Sequence, residues 1–273
     1  MDEKDVKKIV RNNYGRIAKQ SILCCTPINS SFPTTNSYCG CDTSTENISK
    51  KIGYTDEDLR NVPEGANLGL GCGNPVALAS LKEGDHILDL GSGAGFDCFL
   101  AANRVGKSGK VIGVDMTPDM IDKARENAEK GNYENVEFRL GEIENLPIAD
   151  NSVDAIISNC VINLSPEKER VFQEAFRVLK PGGRMMVSDI VLLKELPEFI
   201  KNNSAAYVNC VAGAVLKEQY LEFIREAGFQ DIDILGESSF TIDLLVNQHS
   251  EKGVIKDLNH TIQSIKIQAI KPK

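Results

Sequence analysis

The 273-residue chain has no tryptophan, only three histidines and no Cys-x-x-Cys pair, and each shortage removes a class of chemistry. His86 falls inside an apolar stretch, while His249 and His260 flank the tail, so no histidine stands in a triad or acid–base context. Without Cys-x-x-Cys there is no zinc ribbon, c-type haem signature or thioredoxin motif. Eight cysteines are too few for a secreted disulfide scaffold and fit a reducing compartment that keeps them as thiols. Positive charge is short as well: 31 basic residues against 39 acidic ones leave a net charge of −8 and no global footprint for nucleic acid. The five lysines against two acids between Glu251 and Lys273 read as the solvated face of a terminal strand. No apolar run approaches the roughly 20 residues that cross a bilayer, and MDEKDVKK opens charged with no hydrophobic segment behind it. The expectation is a cytoplasmic protein with no nucleic-acid or membrane partner.

What is present is a globular composition, 41% hydrophobic and 26% charged, which excludes a collagenous or wholly disordered chain. Val6, Ile9, Val10, Tyr14 and Ile17 fall on one face of a helix from about Glu3 to Lys19, an amphipathic cover. Residues Ser21 to Ser49 read as a long surface loop. A short helix with the acidic first turn Asp56-Glu57-Asp58 follows, then the loop ANLGLGCGNP, whose Asn74-Pro75 is a helix start.

From Gly84 the pattern is regular: strand HILDL, a glycine-rich turn, helix 95–105, strand KVIGVD, helix 118–130, strand NVEFRLG, strand VDAIISNC, helix 166–179 and strand RMMVSDIV. Strands alternating with helices predict right-handed crossovers and an α/β fold with a doubly wound, mostly parallel seven-stranded sheet. DIDIL and SIKIQAI complete it after a helical insertion at about 195–226. The expected division is 1–70, an N-terminal helix and Cys-containing loop packed on the core, and 71–273, the main domain.

The turn Gly91-Ser92-Gly93-Ala94-Gly95 lies directly between a strand and a helix, where glycines permit positive φ and close approach to a ligand at the carboxyl edge of the sheet. A dinucleotide fingerprint would need glycine at 96, which is Phe, and Asp89 beside the turn would repel a pyrophosphate but welcome an ammonium or hydroxyl. Asp115, followed by Met116, closes the next strand 24 residues after Gly91, where a carboxylate can accept from both ribose hydroxyls of an adenosine. After the third strand, Glu142 is placed to accept from an adenine amino group and Ile143 to pack on its ring. The turn with Asp89, Asp115 and Glu142 resembles the class I S-adenosylmethionine methyltransferases, in which the position of Asn159 commonly contacts adenosine. The candidate cofactor residues are therefore Asp89, Gly91, Ser92, Gly93, Gly95, Asp115, Met116, Glu142, Ile143 and Asn159.

Cys160 lies just past the fourth strand, on the ligand-binding edge. Cys72 and Cys210 sit in segments able to fold over the same edge, and thiolates select soft centres such as Cu(I), Zn or trivalent arsenic. Cys98, on the helix after the turn, reads as a core residue. The strings NLGLGCGNP, ILDLGSGAGFDC, SNCVINLSPEKERVFQEAFRVLKPGG and YVNCVAGA are similar to those of the arsenite S-adenosylmethionine methyltransferases over most of the chain from Tyr54 to Leu221. The resemblance implies that Cys72, Cys160 and Cys210 hold As(III). It also implies a redox-active N-terminal cysteine, for which Cys39 and Cys41 are the candidates, the other reading being an exposed pair without a role.

On that resemblance the substrates are arsenite and methylarsenite, the cofactor is S-adenosylmethionine, and methyl transfer is an in-line displacement governed by positioning rather than by a general base. Formal oxidation of As(III) on accepting CH₃⁺ implies a thiol reductant, thioredoxin or glutathione, as co-substrate. Two alternatives stay open at this point: a methyltransferase for a small organic acceptor, and a non-catalytic binder of a soft ion. The sequence leaves undetermined the degree of methylation, the oligomeric state and the selectivity against antimony, bismuth or selenium.

Overall fold

A computed structural model describes residues 3–19, 45–201, 203–208, 210–239 and 261–273. The chain opens with α1 (Glu3–Lys19), α2 (Thr45–Lys51), α3 (Asp56–Arg60) and α4 (Pro75–Leu78). The alternating part follows as β1 (His86–Leu90), α5 (Phe96–Val105), β2 (Lys110–Asp115), α6 (Pro118–Lys130), β3 (Val136–Leu140), β4 (Val153–Asn159), α7 (Lys168–Val178) and β5 (Leu179–Leu192). It ends with α8 (Glu198–Lys201), α9 (Ser204–Val208), α10 (Lys217–Glu226), β6 (Gln230–Ser239) and β7 (Ile262–Ile270). The strands form one sheet in the order β3-β2-β1-β4-β5-β7-β6. β1 to β5 run parallel to one another, and β7 runs antiparallel to both β5 and β6.

Apolar residues alternate along the strands between two buried layers. Leu88, Leu90, Ile156 and Met185 pack with Phe172 and Tyr220 of α7 and α10, whose rings meet edge to face at 5.3 Å. Ile87, Ala155, Ile157 and Met186 join Phe99 and Ala102 of α5 on the other layer. A third cluster joins α1 to the carboxyl edge of the sheet through Val6, Val10, Leu164, Tyr207, Cys72 and Cys210. The reversal of strand order between β1 and β4 opens a crevice at the carboxyl ends of those strands, where open α/β sheets bind ligands.

Two local expectations change. The surface loop read over Ser21 to Ser49 mostly lies outside the described residues, and its last five are helical, in α2. The segment TENISKK has a single aliphatic residue, so it carries no periodicity; the Ser49 hydroxyl is buried against the Thr45 carbonyl at 3.0 Å and Asn67 Oδ1 at 2.9 Å. The turn Pro181-Gly182-Gly183 ends α7 but is absorbed into β5. Val153 pairs with Leu179 and Ala155 with Arg184, so the intervening residues bulge out of the ladder.

Because Phe172 is fully buried against Tyr220, Phe172→Ala is expected to cost about 3–5 kcal/mol. Urea unfolding of the variant beside the parent chain measures it.

Candidate active site

The carboxyl edge holds a cleft of about 1080 Å³ including its open mouth. Asp89 at β1, the turn residues Gly91, Ser92 and Gly93, Asp115 and Met116 at the end of β2, Ile143 after β3, and Asn159 and Cys160 after β4 all line it. Gly91 has φ of +69°, and a Cβ there would run into the Val161 side chain. The Gly93 amide donates to Asp115 Oδ2 at 3.0 Å while Thr117 N donates to Oδ1 at 2.8 Å, so the turn is stapled to β2. Asp115 is thereby aimed into the cleft. The Ser92 hydroxyl is buried and has no hydrogen-bond partner among the described residues.

Two expected cofactor residues stand elsewhere. Gly95 does not line the cleft; it is the left-handed N-cap of α5, and a Cβ there would meet Phe99 and Phe138 at 2.7 Å, so its smallness seats the helix on the sheet. Glu142 is half-exposed outside the cleft and pairs with Lys7 at 2.8 Å and Arg11 at 3.4 Å. The acid that faces the cleft from this loop is Glu144, buried, within 2.5 Å of the Ser165 hydroxyl and 3.3 Å of Lys7. The one-residue difference reflects the turn after β3, which presents Ile143 and Glu144 inward.

Among the described residues, four acids, Asp89, Asp97, Asp115 and Glu144, line the cleft against one cation, Lys7. Burial raises the pKa of Asp89 well above the usual carboxylate range, with the Asp97 charge adding to it. Burial lifts Asp97 from 3.8 to about 6 against the opposing hydrogen bonds of Tyr54 and Asn159. Asp115 is raised by burial too, offset by the amides it accepts from. Carboxyls held this way favour a cationic ligand, which restores their charge. The unpartnered Ser92 hydroxyl, the glycine cradle and this acidic lining fit S-adenosylmethionine, whose sulfonium and ammonium are positive and whose ribose carries hydroxyls.

Cysteines 72, 160 and 210 come from the loop before α4, the end of β4 and the segment after α9, and they converge. The neighbouring thiols of Cys210 and Cys72, together with burial, raise the pKa of Cys160 well above that of a free thiol, and the Cys210 thiol donates to the Cys160 carbonyl at 3.4 Å. Burial raises Cys72 as well. Cys160 and Cys210 line the cleft, and Cys72, which does not, packs in the same buried cluster. Among the described residues no set of three or more His, Cys, Asp or Glu forms a ready-made metal cage. Cys160 and Cys210 both adopt positive φ, +59° and +66°, at about 1–2 kcal/mol each for residues with a Cβ. Cys98 is buried in the core and donates its thiol to Asp89 at 3.2 Å. Cys39 and Cys41 lie outside the described residues.

The sequence offered no signal for several residues here. Asn163 is buried, donates Nδ2 to the Cys210 carbonyl at 2.9 Å and stands 4.0 Å from Cys160 Sγ, joining the two strained turns. Tyr14 of α1 lines the cleft beside the same thiols and donates to Val208 O at 3.3 Å. Asp97 and Tyr54 meet at 2.6 Å beneath Asn159. Only Tyr14 had a sequence mark, its place on the apolar face of α1.

Sheet order, glycine turn and acid-lined cleft together define a class I S-adenosylmethionine-dependent methyltransferase, and a family described as a methyltransferase domain matches residues 81–228. The arsenite methyltransferase of Halobacterium salinarum is 45% identical over 99% of this chain and 68% of its own length. The human arsenite methyltransferase is 36% identical over 82% of this chain, and the chain spans 58% of it. The crystal structure of an arsenic(III) S-adenosylmethionine methyltransferase from Chlamydomonas reinhardtii superposes with a TM-score of 0.64 at 33% identity, covering 83% of this chain and 73% of that one. The chain belongs to the arsenite methyltransferase family.

Because the native state holds the Asp97 proton to about pH 6 and the unfolded chain releases it near 3.8, native stability from this group is complete below pH 3.8 and is lost as pH rises through 6. In ligand-free protein, the difference in unfolding free energy between Asp97→Asn and the parent is expected to shift toward the variant between pH 4 and 7. Urea titrations across that range measure it, with the Asp89 carboxyl, which feels the Asp97 charge, contributing to the same difference.

Proposed function

We propose that this chain transfers the methyl group of S-adenosylmethionine to trivalent arsenic held by the thiols of Cys72, Cys160 and Cys210, giving methylated arsenicals. The observation that carries this reading is that Cys72, Cys160 and Cys210, from segments 88 and 50 residues apart, pack into one cluster beside the acid-lined cleft, which Cys160 and Cys210 line. The arsenite methyltransferase relatives support the substrate.

In this reading the raised pKa values of Cys72 and Cys160 suit loading. Each sulfur–arsenic bond forms as a thiol proton leaves with an arsenite hydroxyl as water, so three such bonds form with no net charge buried. Soft sulfur donors favour soft trivalent arsenic over hard cations. When bound, S-adenosylmethionine supplies an electrophilic methyl carbon on a sulfonium. Asp115 accepts from ribose hydroxyls, Asp89 and Asp97 balance positive charge, Met116 and Ile143 pack on the adenine, and Ser92 takes up its missing hydrogen bond. No side chain needs to move a proton at the reacting centre, because the arsenic lone pair is the nucleophile; catalysis is positioning.

Accepting CH₃⁺ takes arsenic from trivalent to pentavalent. A pair of thiols restores it by giving two electrons and becoming a disulfide, which thioredoxin or glutathione then reduces. Cys39 or Cys41 is the proposed additional thiol. The four described free cysteines suit the reducing cytoplasm in which we place the protein; among the described residues no helix is long and apolar enough to cross a membrane. Residues 1–70 then serve as a cover and thiol carrier, and 71–273 as the methyltransferase domain with its arsenic-binding insertion at about 195–226.

Transfer of labelled methyl from S-adenosylmethionine to arsenite, with thiol reductant present, tests the reading. Cys72→Ser, Cys160→Ser and Cys210→Ser are each expected to lose about a hundredfold or more, and omission of reductant to stop turnover after the first cycles. Turnover indifferent to all three substitutions would instead point to an organic acceptor.

A further inference from the structure

Asn159 was expected to orient the cofactor, yet its side chain is committed to the protein. Its Oδ1 accepts the Cys72 amide at 2.9 Å, and its Nδ2 donates to the carbonyl of the next residue, Gly73, at 2.8 Å. The amide thus grips the backbone on both sides of the Cys72 side chain. The grip is close: a Cβ at Gly71, whose φ is +103°, would meet the Asn159 side chain at 2.7 Å.

Two further acceptors crowd the same nitrogen. Nδ2 stands 2.9 Å from the Tyr54 hydroxyl and 3.1 Å from Asp97 Oδ2, while that hydroxyl spends its one proton on Asp97 Oδ1 at 2.6 Å. An amide nitrogen has two hydrogens, so Gly73, Tyr54 and Asp97 share two donors among three acceptors. Asp97 is the member of this group that lines the cofactor cleft. Tyr54 is buried, held edge to face on Phe96 at 4.8 Å, and does not reach the cleft.

We propose that Tyr54 and Asp97 are positioning residues that, acting through Asn159, couple occupancy of the cofactor cleft to the placement of Cys72. A cationic ligand that draws on the Asp97 carboxylate releases its claim on Nδ2. The two hydrogens then serve Tyr54 and Gly73 alone, and the Cys72 loop tightens onto β4. Coupling of this kind is reciprocal, so a fixed Cys72 loop favours the cofactor in turn. The consequence for methyl transfer rests on the reading of Cys72 as an arsenic ligand; the coupling itself does not.

The test needs no arsenic, so its failure and the failure of the proposed activity are separate results. Alkylation of Cys72 by iodoacetamide is followed by peptide mass spectrometry with and without saturating S-adenosylmethionine, with Cys210 in the same digest as the internal reference and cofactor affinity measured by calorimetry. In the parent chain the cofactor is expected to slow Cys72 alkylation about fivefold or more, the lower end of ordinary coupling between sites. Tyr54→Phe keeps the ring on Phe96 and removes the hydroxyl. At saturating cofactor it is expected to retain the protection of Cys210 and lose most of the protection of Cys72, and by the same linkage to weaken the cofactor Kd by about the factor of protection lost. Should that variant unfold, Asp97→Asn at saturating cofactor is expected to lose the same protection. Absence of cofactor binding or of Cys72 protection in the parent would overturn the proposal, as would a folded variant protected like the parent or one that loosens Cys72 and Cys210 alike.

Discussion

The side-chain amide of Asn159 joins the strand that ends at the cleft to the loop that brings in Cys72, and most of the site hangs on that joint. A buried backbone amide or carbonyl left without a partner costs about 1–3 kcal/mol, so the Cys72 loop can pack against β4 only where something answers its polar groups. Asn159 answers an amide and a carbonyl together. It can do so because β4 lies at the reversal of strand order, where the chains leave the sheet in opposite directions and open a crevice between them. Ser264 of β7 completes the attachment by donating to the Cys72 carbonyl at 3.0 Å.

Around this joint burial disfavours the charged forms of the ionisable groups. Asp89 and Asp97 hold their protons to higher pH than free carboxyls, and the Cys72 and Cys160 thiols are held protonated. Such a site costs less to fold than one with several bare anions facing each other. A cationic cofactor supplies the missing counter-charge on one side. On the other, in the proposed chemistry, arsenite removes the thiol protons as water. The energetic expense that does remain is conformational: Cys160 and Cys210 both sit in the left-handed region. Asn163, bonded to the Cys210 carbonyl and lying next to Cys160, holds the two turns in register. Strain retained at two neighbouring cysteines is the kind that surrounding structure must over-determine.

Much of the architecture was legible because it rests on local patterns. The alternation of strands and helices from Gly84 onward, the Asn74-Pro75 helix start and the amphipathic face of α1 are set by backbone propensity and periodicity, which nearby residues carry. The glycine turn and Asp115 were legible for a similar reason, since the turn must follow one parallel strand and the acid must close the next. Where a pattern was thin it misled: α2 has too few apolar residues to show a period, and Glu142 differs from Glu144 only by which way a short loop faces. Gly95 matched a ligand-binding spacing but is small to make room for Phe99 and Phe138.

By itself, then, the sequence determined the doubly wound fold, the carboxyl-edge location of the cofactor turn, and a set of cysteines in contexts resembling those of the arsenite methyltransferases. Tertiary structure alone decided that Cys72, Cys160 and Cys210 pack into one cluster, that Glu144 rather than Glu142 faces the cleft, and that Tyr54, Asp97 and Asn163 lie around it. The physical reason is range. Periodicity and turn chemistry act over a few residues, whereas Tyr54 and Asp97 are 43 residues apart, Asn159 lies a further 62 beyond Asp97, and Asn163 lies 47 before Cys210. Contacts over such separations form only when the sheet has closed and the polar groups at its edge must find partners away from water.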